Sequence, residues 1–156
     1  MKEDEADLLE MLKNHELAIG RLYETFSTKF IKHQELWQGL MKDEQKHALW
    51  IEKLRSYPVI SSWLMDNIHV KLQAFKSSIG YVESLIKKAQ EGNLNPVQAL
   101  SIARDLENAL IEKQFSRLNN SSSEKINSIM ATLSAETEKH RNKIIEAINK
   151  EKRLES

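Results

Sequence analysis

Apolar residues recur at three- and four-residue steps along most of this chain, which is the spacing of one face of an α-helix. Four such stretches are long enough to form bundle helices, at about residues 4–30, 32–56, 95–118 and 122–152. The 156 residues are the size of one ordinary domain and are enough to bury a single core. We therefore predict one all-α domain that covers residues 1–156.

The segment between the second and third stretches, at about residues 58–92, is expected to cross from one helix pair to the other. Pro58 cannot continue the second helix, and it disfavours helical geometry at Tyr57. Apolar positions at helical spacing predict a crossover helix over about residues 65–90, which Gly92 closes.

Start signals mark the third and fourth bundle helices. Asn95 is expected as an N-cap, with Pro96 at the first helical position and Gln98 completing a capping box. Ser121 and Glu124 predict a second capping box at the start of the last helix. These signals set the ends of the loops that precede the two helices.

Polar residues interrupt the apolar face of each bundle helix near its middle. These residues are Glu16, Glu44, His47, Glu107, Glu136 and His140. One such residue is more often a helix-edge group that reaches solvent or a salt bridge. Carboxylates from four helices in one core would repel each other unless cations neutralised them, so the pattern favours a shared metal site.

The two halves of the chain carry the same pattern of residues. A shift of 93 positions lays His47 on His140, and a shift of 91 lays Glu16 on Glu107. A pseudo-twofold arrangement of two helix pairs would bring these residues together from opposite sides.

Two segments, "HELAIGRLYETF" and "LWQGLMKDEQKHALWIEKL", resemble the first half of a ferritin-like di-iron carboxylate domain and are most similar to rubrerythrins. The resemblance covers nearly the whole chain. It implies a four-helix bundle with a long crossover between its second and third helices. It also implies that Tyr23 places a hydroxyl near the site and that the metal ligands include Glu16, Glu44, His47, Glu107 and His140.

The same resemblance implies a chemistry that suits these residue types. Carboxylates can bridge two metal ions, imidazoles complete the coordination, and open positions accept dioxygen or peroxide. Iron is the expected metal, and the ligands also suit manganese or zinc. The implied function is that of an oxidoreductase that handles iron or reduces oxygen species.

The last helix departs from the rubrerythrin pattern. Thr137 stands where a second Glu44 is expected, and Glu136 lies four residues before His140 instead of three. Three residues turn a helix by about 300° and four by about 400°, so Glu136 would lie on the other side of the histidine. It would become a ligand only if the helix were rotated, and otherwise the site would be lopsided or mononuclear.

Two further departures concern turnover. Leu110 stands where peroxide-reducing rubrerythrins have an additional glutamate, and the sequence has no cysteine for a rubredoxin-like centre or a disulfide. Redox turnover would therefore need an external electron donor. The alternative is a degenerate bundle with an incomplete metal site that acts as a structural or partner-binding module.

Charge and hydropathy exclude other classes of function. Lys+Arg and Asp+Glu are equal at 23 each and are interleaved, so we expect no nucleic-acid partner. No apolar run is long enough to span a bilayer, and the acidic N-terminus does not resemble a signal peptide, so we expect no membrane partner and a cytoplasmic location.

The other histidines and the tryptophans are expected to have structural roles. His15 is expected to be partly exposed, and His33 and His69 have no partner at ligand spacing. Tryptophans are expected in the core or at a contact between two copies, which leaves a homodimer open, and they are Trp37, Trp50 and Trp63.

Overall fold

The computed structural model describes residues 3–67, 72–110 and 120–155, and their regular structure is helical throughout. The six α-helices of these ranges are α1 Glu3–Lys29, α2 Gln34–Lys53, α3 Ile60–Asp66, α4 Leu72–Gln90, α5 Pro96–Ala109 and α6 Glu124–Glu155. Two 3₁₀ turns flank α2, at Ile31–His33 and Leu54–Ser56. The prediction of an all-α chain is confirmed. None of these helices combines the length and the apolar character that crossing a bilayer requires.

Of the two capping boxes predicted at the starts of α5 and α6, the first is present and the second is not. Asn95 Oδ1 accepts the backbone N–H of Gln98 at 2.8 Å, and Gln98 Oε1 accepts that of Asn95 at 2.9 Å, so the first capping box is confirmed. The second is wrong, because α6 begins at Glu124 and Ser123 precedes it. Ser123 Oγ accepts the backbone N–H of Ile126 at 3.4 Å. The end predicted for the third bundle helix lies outside the described residues.

The described part of the segment predicted as a crossover contains two helices, α3 and α4, instead of the single predicted one. The side-chain amide of Asn67 donates to the Trp63 carbonyl at 2.7 Å, and its backbone N–H donates to the Leu64 carbonyl, which ends α3. Gly92 has a φ of 78°, a left-handed conformation that suits glycine, and it follows α4 as predicted. Tyr57 is extended before Pro58, as expected.

Helix α1 organises the packing of the first half of the chain. It packs against both α2 and α4, whereas α5 packs against α6, and α2 makes the main contact between the two halves. The face predicted for α1 is buried throughout, and it consists of Leu8, Leu9, Leu12, Glu16, Ile19, Leu22, Tyr23, Phe26 and Phe30. One apolar core therefore surrounds each polar interruption.

Gly20 lies where α1 closely approaches α2. A methyl group added at Gly20 would lie 3.3 Å from Cβ of Glu44 and 3.9 Å from the carbonyl oxygen of Met41. Because Cβ of Glu44 is fixed by its own helix, it has little freedom to move away. Glycine at this position therefore lets α1 approach α2 at the level of Glu44.

We predict that G20A will lack the stabilisation that alanine gives at the other helical glycines. Gly39 and Gly80 lie in α2 and α4 with open space around them, so G39A and G80A should each raise the free energy of unfolding by about 0.5–1 kcal/mol. At Gly20 the tight contact should offset that gain, and G20V should lower stability by about 1–3 kcal/mol. Urea denaturation measures all four variants. Equal stability of G20V and the unchanged protein would contradict the close approach.

Candidate metal centre

Five ionisable side chains from four helices meet in the interior. Glu16 comes from α1, Glu44 and His47 from α2, Glu107 from α5 and His140 from α6, and each is at most 2% exposed. Each lies on the apolar face of its helix, so the helical periodicity that builds the core also aims these groups inward. The structure thus brings together five of the six residues predicted as ligands.

These residues form two groups that share Glu44. Glu16, Glu44 and His47 offer ligand atoms that lie within 4.8 Å of one another, and so do Glu44, Glu107 and His140. Nδ1 of His47 lies 3.7 Å from Oε2 of Glu44, whereas Nδ1 of His140 lies 3.2 Å from Oε1 of the same side chain. Glu44 therefore presents one oxygen to each group, which is the arrangement of a bridging carboxylate.

The outer nitrogens of the two imidazoles contact a different pair of carboxylates. Nε2 of His47 lies 3.0 Å from Oε2 of Glu136, and Nε2 of His140 lies 3.0 Å from Oδ2 of Asp43. A carboxylate only accepts a hydrogen bond when ionised, so each Nε2 donates its proton to the outer carboxylate, and each Nδ1 faces Glu44. Such a contact on the outer nitrogen holds a metal-binding histidine in the correct tautomer.

Glu136, the sixth predicted ligand, lies at the outer edge of the centre, whereas the other five residues lie in the interior. Its side chain is 22% exposed and contacts the outer edge of His47, as expected for a carboxylate four residues before His140. Its oxygen also lies near both imidazoles in a third group of candidate ligand atoms, with His47 and His140. The hydrogen bond to Nε2 makes Glu136 a residue that orients His47.

Asp43 was missed by the sequence analysis, although a signal for it was present. It precedes His47 by four residues, as Glu136 precedes His140, and the same shift of 93 positions superimposes the two carboxylates. Asp43 of α2 orients the histidine of α6, and Glu136 of α6 orients that of α2. The two imidazole rings lie 5.4 Å apart at an interplanar angle of 20°.

Thr137 is the residue that the internal repeat aligns with Glu44, and its side chain is likewise buried. It is 1% exposed, and its hydroxyl donates to the carbonyl oxygen of Leu133 at 2.7 Å. The hydroxyl is therefore satisfied by its own helix. The centre has three inner carboxylates, and Glu44 is the one that both groups share.

Tyr23 lies beside the centre, as the resemblance implied. Its hydroxyl donates to Oε1 of Glu107 at 2.6 Å, and its ring packs at 5.5 Å from that of Trp37. This contact holds Oε1 of Glu107, the oxygen that also lies 3.5 Å from Nδ1 of His140.

Each of the five side chains has one polar atom that is buried and has no hydrogen-bond partner among the protein atoms of the described residues. These atoms are Oε2 of Glu16, Oε2 of Glu44, Nδ1 of His47, Oε2 of Glu107 and Nδ1 of His140. Each buried polar atom without a partner costs about 1–3 kcal/mol. A cation between them would satisfy all five, and oxygen and imidazole donors suit first-row transition metals. The residues therefore fit a metal centre.

The electrostatics of the three carboxylates show what their burial costs. Burial, together with the charge of Glu44, raises the pKa of Glu16 well above its ordinary value and also raises the pKa of Glu107. Burial opposes ionisation of Glu44 as well, but contacts with Glu16 and the two imidazoles lower its pKa overall. Glu44 is therefore the carboxylate whose ionised form is stabilised, whereas the pKa values of its two neighbours are shifted upwards.

Burial and the carboxylates of the centre also shift the pKa values of the two imidazoles and of Tyr23. Burial lowers the pKa of His140, but the carboxylates of Glu107 and Glu44 outweigh it and raise the value to about 11. Contacts with Glu44 and Glu136 likewise overcome burial and raise the pKa of His47. Burial and the charge of Glu107 raise the pKa of Tyr23 well above its ordinary range, so it is a hydrogen-bond donor at neutral pH.

The remaining histidines lie outside the centre. His15 was predicted to be partly exposed, and this is wrong: it is 2% exposed because α4 covers that face of α1. Its Nε2 lies 2.8 Å from the hydroxyl oxygen of Ser78, and its ring packs edge-on at 5.8 Å from Phe75. His33 pairs with Glu151 at 3.0 Å, and His69 lies outside the described residues.

The tryptophans divide between the core and the edge of the centre. Trp37 and Trp63 are buried in the apolar core, as predicted. Trp50 is partly buried, and its ring centroid lies 5.3 Å from that of His47.

We predict that E16Q will stabilise the metal-free protein. The raised pKa means that folding opposes ionisation of Glu16, so this group lowers stability progressively as the pH rises above its ordinary value of 4.5. Glutamine has the same shape without the charge and should add about 1 kcal/mol at neutral pH, with little difference at pH 4. Denaturant unfolding at both pH values, with a chelator present, measures the effect. E24Q is the control, because Glu24 is exposed on the same helix. A destabilised E16Q at neutral pH would contradict the argument.

Comparisons of this chain with protein-family models, with curated proteins and with solved structures found no match. The functional interpretation therefore depends on the geometry of the centre.

Proposed function

We propose that this chain is a rubrerythrin-like metal-binding protein of the ferritin-like group that holds two transition-metal ions between its helices. In this proposal α1, α2, α5 and α6 are the four bundle helices, and α3 and α4 form the crossover. The observation that carries the proposal is the pair of ligand groups that share Glu44 and have buried polar atoms without partners. An apolar core offers no other evident reason to collect these groups.

Each ion has a defined set of residues in this proposal. Glu16, Glu44 and His47 would hold one ion, and Glu44, Glu107 and His140 would hold the other. Two divalent ions bring four positive charges to three inner carboxylates, so the repulsion that raises the pKa values of Glu16 and Glu107 would be removed. Asp43 and Glu136 hold the imidazoles in the tautomer that binds.

The chemistry of such a centre depends on the bound metal. Iron is the metal we propose first, with manganese or zinc as alternatives, and bound iron would supply the capacity to react with dioxygen or peroxide. Because Thr137 contributes no carboxylate, water or a small anion must complete the coordination. The proposed activity is handling of iron or reduction of oxygen species with an external electron donor.

A second candidate function follows from Thr137 and the outer ion pairs. The contacts of Glu136 with His47 and of Asp43 with His140 join α2 to α6 without an ion. A bundle that had lost its metal function could use these contacts as structural links and act as a partner-binding module. The two candidates differ in whether the inner carboxylates bind metal.

We predict about two metal ions per chain, and we predict that E44Q will lose most of both. Glu44 is shared by the two groups, so removing its charge should weaken the binding of both ions. H47A should weaken mainly the binding of the ion held by Glu16, Glu44 and His47. The protein is purified after growth with iron or manganese, and its metal content is measured by elemental analysis. Bound metal should also raise the midpoint of thermal unfolding. E24Q is again the control, and it should keep its metal.

The opposite result would favour the structural module. That result is a metal content far below one ion per chain that does not change in E44Q or H47A.

We predict that T137E will lower the stability of the metal-free protein and increase the stabilisation by metal. A fourth buried carboxylate should cost about 2 kcal/mol or more without a cation, and with metal it should provide a further ligand. Thermal unfolding with chelator and with added Mn²⁺ gives both values. A135E places the same charge at an exposed position of α6 and should show neither effect. Stabilisation by Mn²⁺ that is no larger in T137E than in the unchanged protein would contradict the proposed position of the ions beside residue 137.

A further inference from the structure

A surface groove lies against the outer side of the His47 region. It runs between the C-terminal end of α2 and the N-terminal part of α6, and its volume is about 540 Å³. Its lining includes Trp50, Lys53, Tyr57, Lys125 and Ile129. Small-molecule sites in proteins commonly have volumes of about 300–1,000 Å³. The groove is therefore large enough for a small ligand with several rings.

Trp50 connects this groove to the metal centre. Its ring lines the groove and also packs at a centroid distance of 5.3 Å from the imidazole of His47. The ammonium of Lys46 lies 5.2 Å from the centroid of the Trp50 ring. A ligand seated against Trp50 would therefore be separated by one aromatic ring from a candidate metal ligand.

The charges of the groove are of one sign. Lys53 and Lys125 are both exposed, and the lining residues include no carboxylate. Within the ranges that the structure covers, neither ammonium lies within ion-pairing distance of a carboxylate, whereas Lys13, Lys32 and Lys46 are each paired. Aromatic surfaces beside cations complement a ligand that has both a planar ring system and an acidic group.

We propose that this groove binds a planar aromatic anion, with its rings against Trp50 and Tyr57 and its acidic group near Lys53 and Lys125. The binding site itself does not depend on a bound metal. Its link to the metal centre through Trp50 and His47 rests on the function proposed above. The groove thus adds a ligand site to a chain whose metal centre is otherwise enclosed by helices.

Flavin mononucleotide and riboflavin are suitable probes, because they share the ring system and differ in the phosphate. Each is titrated into the metal-free protein, and binding is followed by quenching of flavin fluorescence. We expect flavin mononucleotide to bind about tenfold more tightly than riboflavin at low salt, and we expect this advantage to decrease at high salt.

Two variants separate the contributions of charge and ring. The double variant K53Q/K125Q should remove the advantage of flavin mononucleotide, and because both lysines are exposed it should fold normally. W50A should weaken both ligands. The matched controls lie on α4: K87Q/K88Q removes the same charge from exposed positions, and Y81A removes an exposed aromatic ring.

Three results would overturn the proposed groove ligand. They are no binding of either flavin, equal affinity for both, or the same loss in K87Q/K88Q as in K53Q/K125Q. The first would leave a macromolecular partner as the occupant to consider.

The link through Trp50 is tested separately with Co²⁺, which quenches the fluorescence of nearby tryptophans. Co²⁺ should reduce tryptophan emission, and W50F should remove most of that change. Binding of Co²⁺ without a contribution of Trp50 would overturn the link. Failure of Co²⁺ to bind would count against the metal centre and leave the flavin titrations as an independent result.

Discussion

Three carboxylates in one apolar core are the constraint on which the rest of this structure depends. Glu16, Glu44 and Glu107 occupy positions where a helical bundle would ordinarily place leucine, and burial of a charge without compensation is costly. The protein compensates in part with two imidazoles and the hydroxyl of Tyr23. The compensation is incomplete, because one oxygen of each carboxylate and Nδ1 of each imidazole have no hydrogen-bond partner among the described protein atoms. The remaining cost is what a bound cation would offset in the function proposed above.

The same constraint explains why the two halves of the chain are joined mainly through polar groups at this level. The main contact between the halves is that of α2 with α6, and it includes the reciprocal ion pairs of Asp43 with His140 and of Glu136 with His47. Each helix thus orients the histidine of the other. Displacement of either helix would disturb both imidazoles, so the positions of the two ligand groups are coupled through the backbone that carries them.

Periodicity predicted the helices and their inward faces well, because a residue's place on a helix face follows from its number in the sequence. It also predicted that six site residues would converge, and five of them meet in the interior. It failed where the outcome depended on neighbours distant in the chain: His15 is buried because α4 lies over it. It failed again where one side chain ends a helix, as the amide of Asn67 does for α3. Asp43 could have been found only by noticing that it precedes His47 by four residues, as Glu136 precedes His140.

Thr137 limits the number of buried carboxylates that a metal would have to neutralise in the function proposed above. A carboxylate at this position would add a fourth buried charge, and each further charge makes the centre more costly until an ion arrives. The threonine hydroxyl is instead satisfied by the carbonyl of Leu133 and needs no ion. Because stabilisation by a ligand grows with the logarithm of its concentration over its dissociation constant, the protein without metal receives none of it, and a satisfied threonine at this position then costs less than a buried carboxylate. The asymmetry of the centre is therefore consistent with a functional site that tolerates periods without metal.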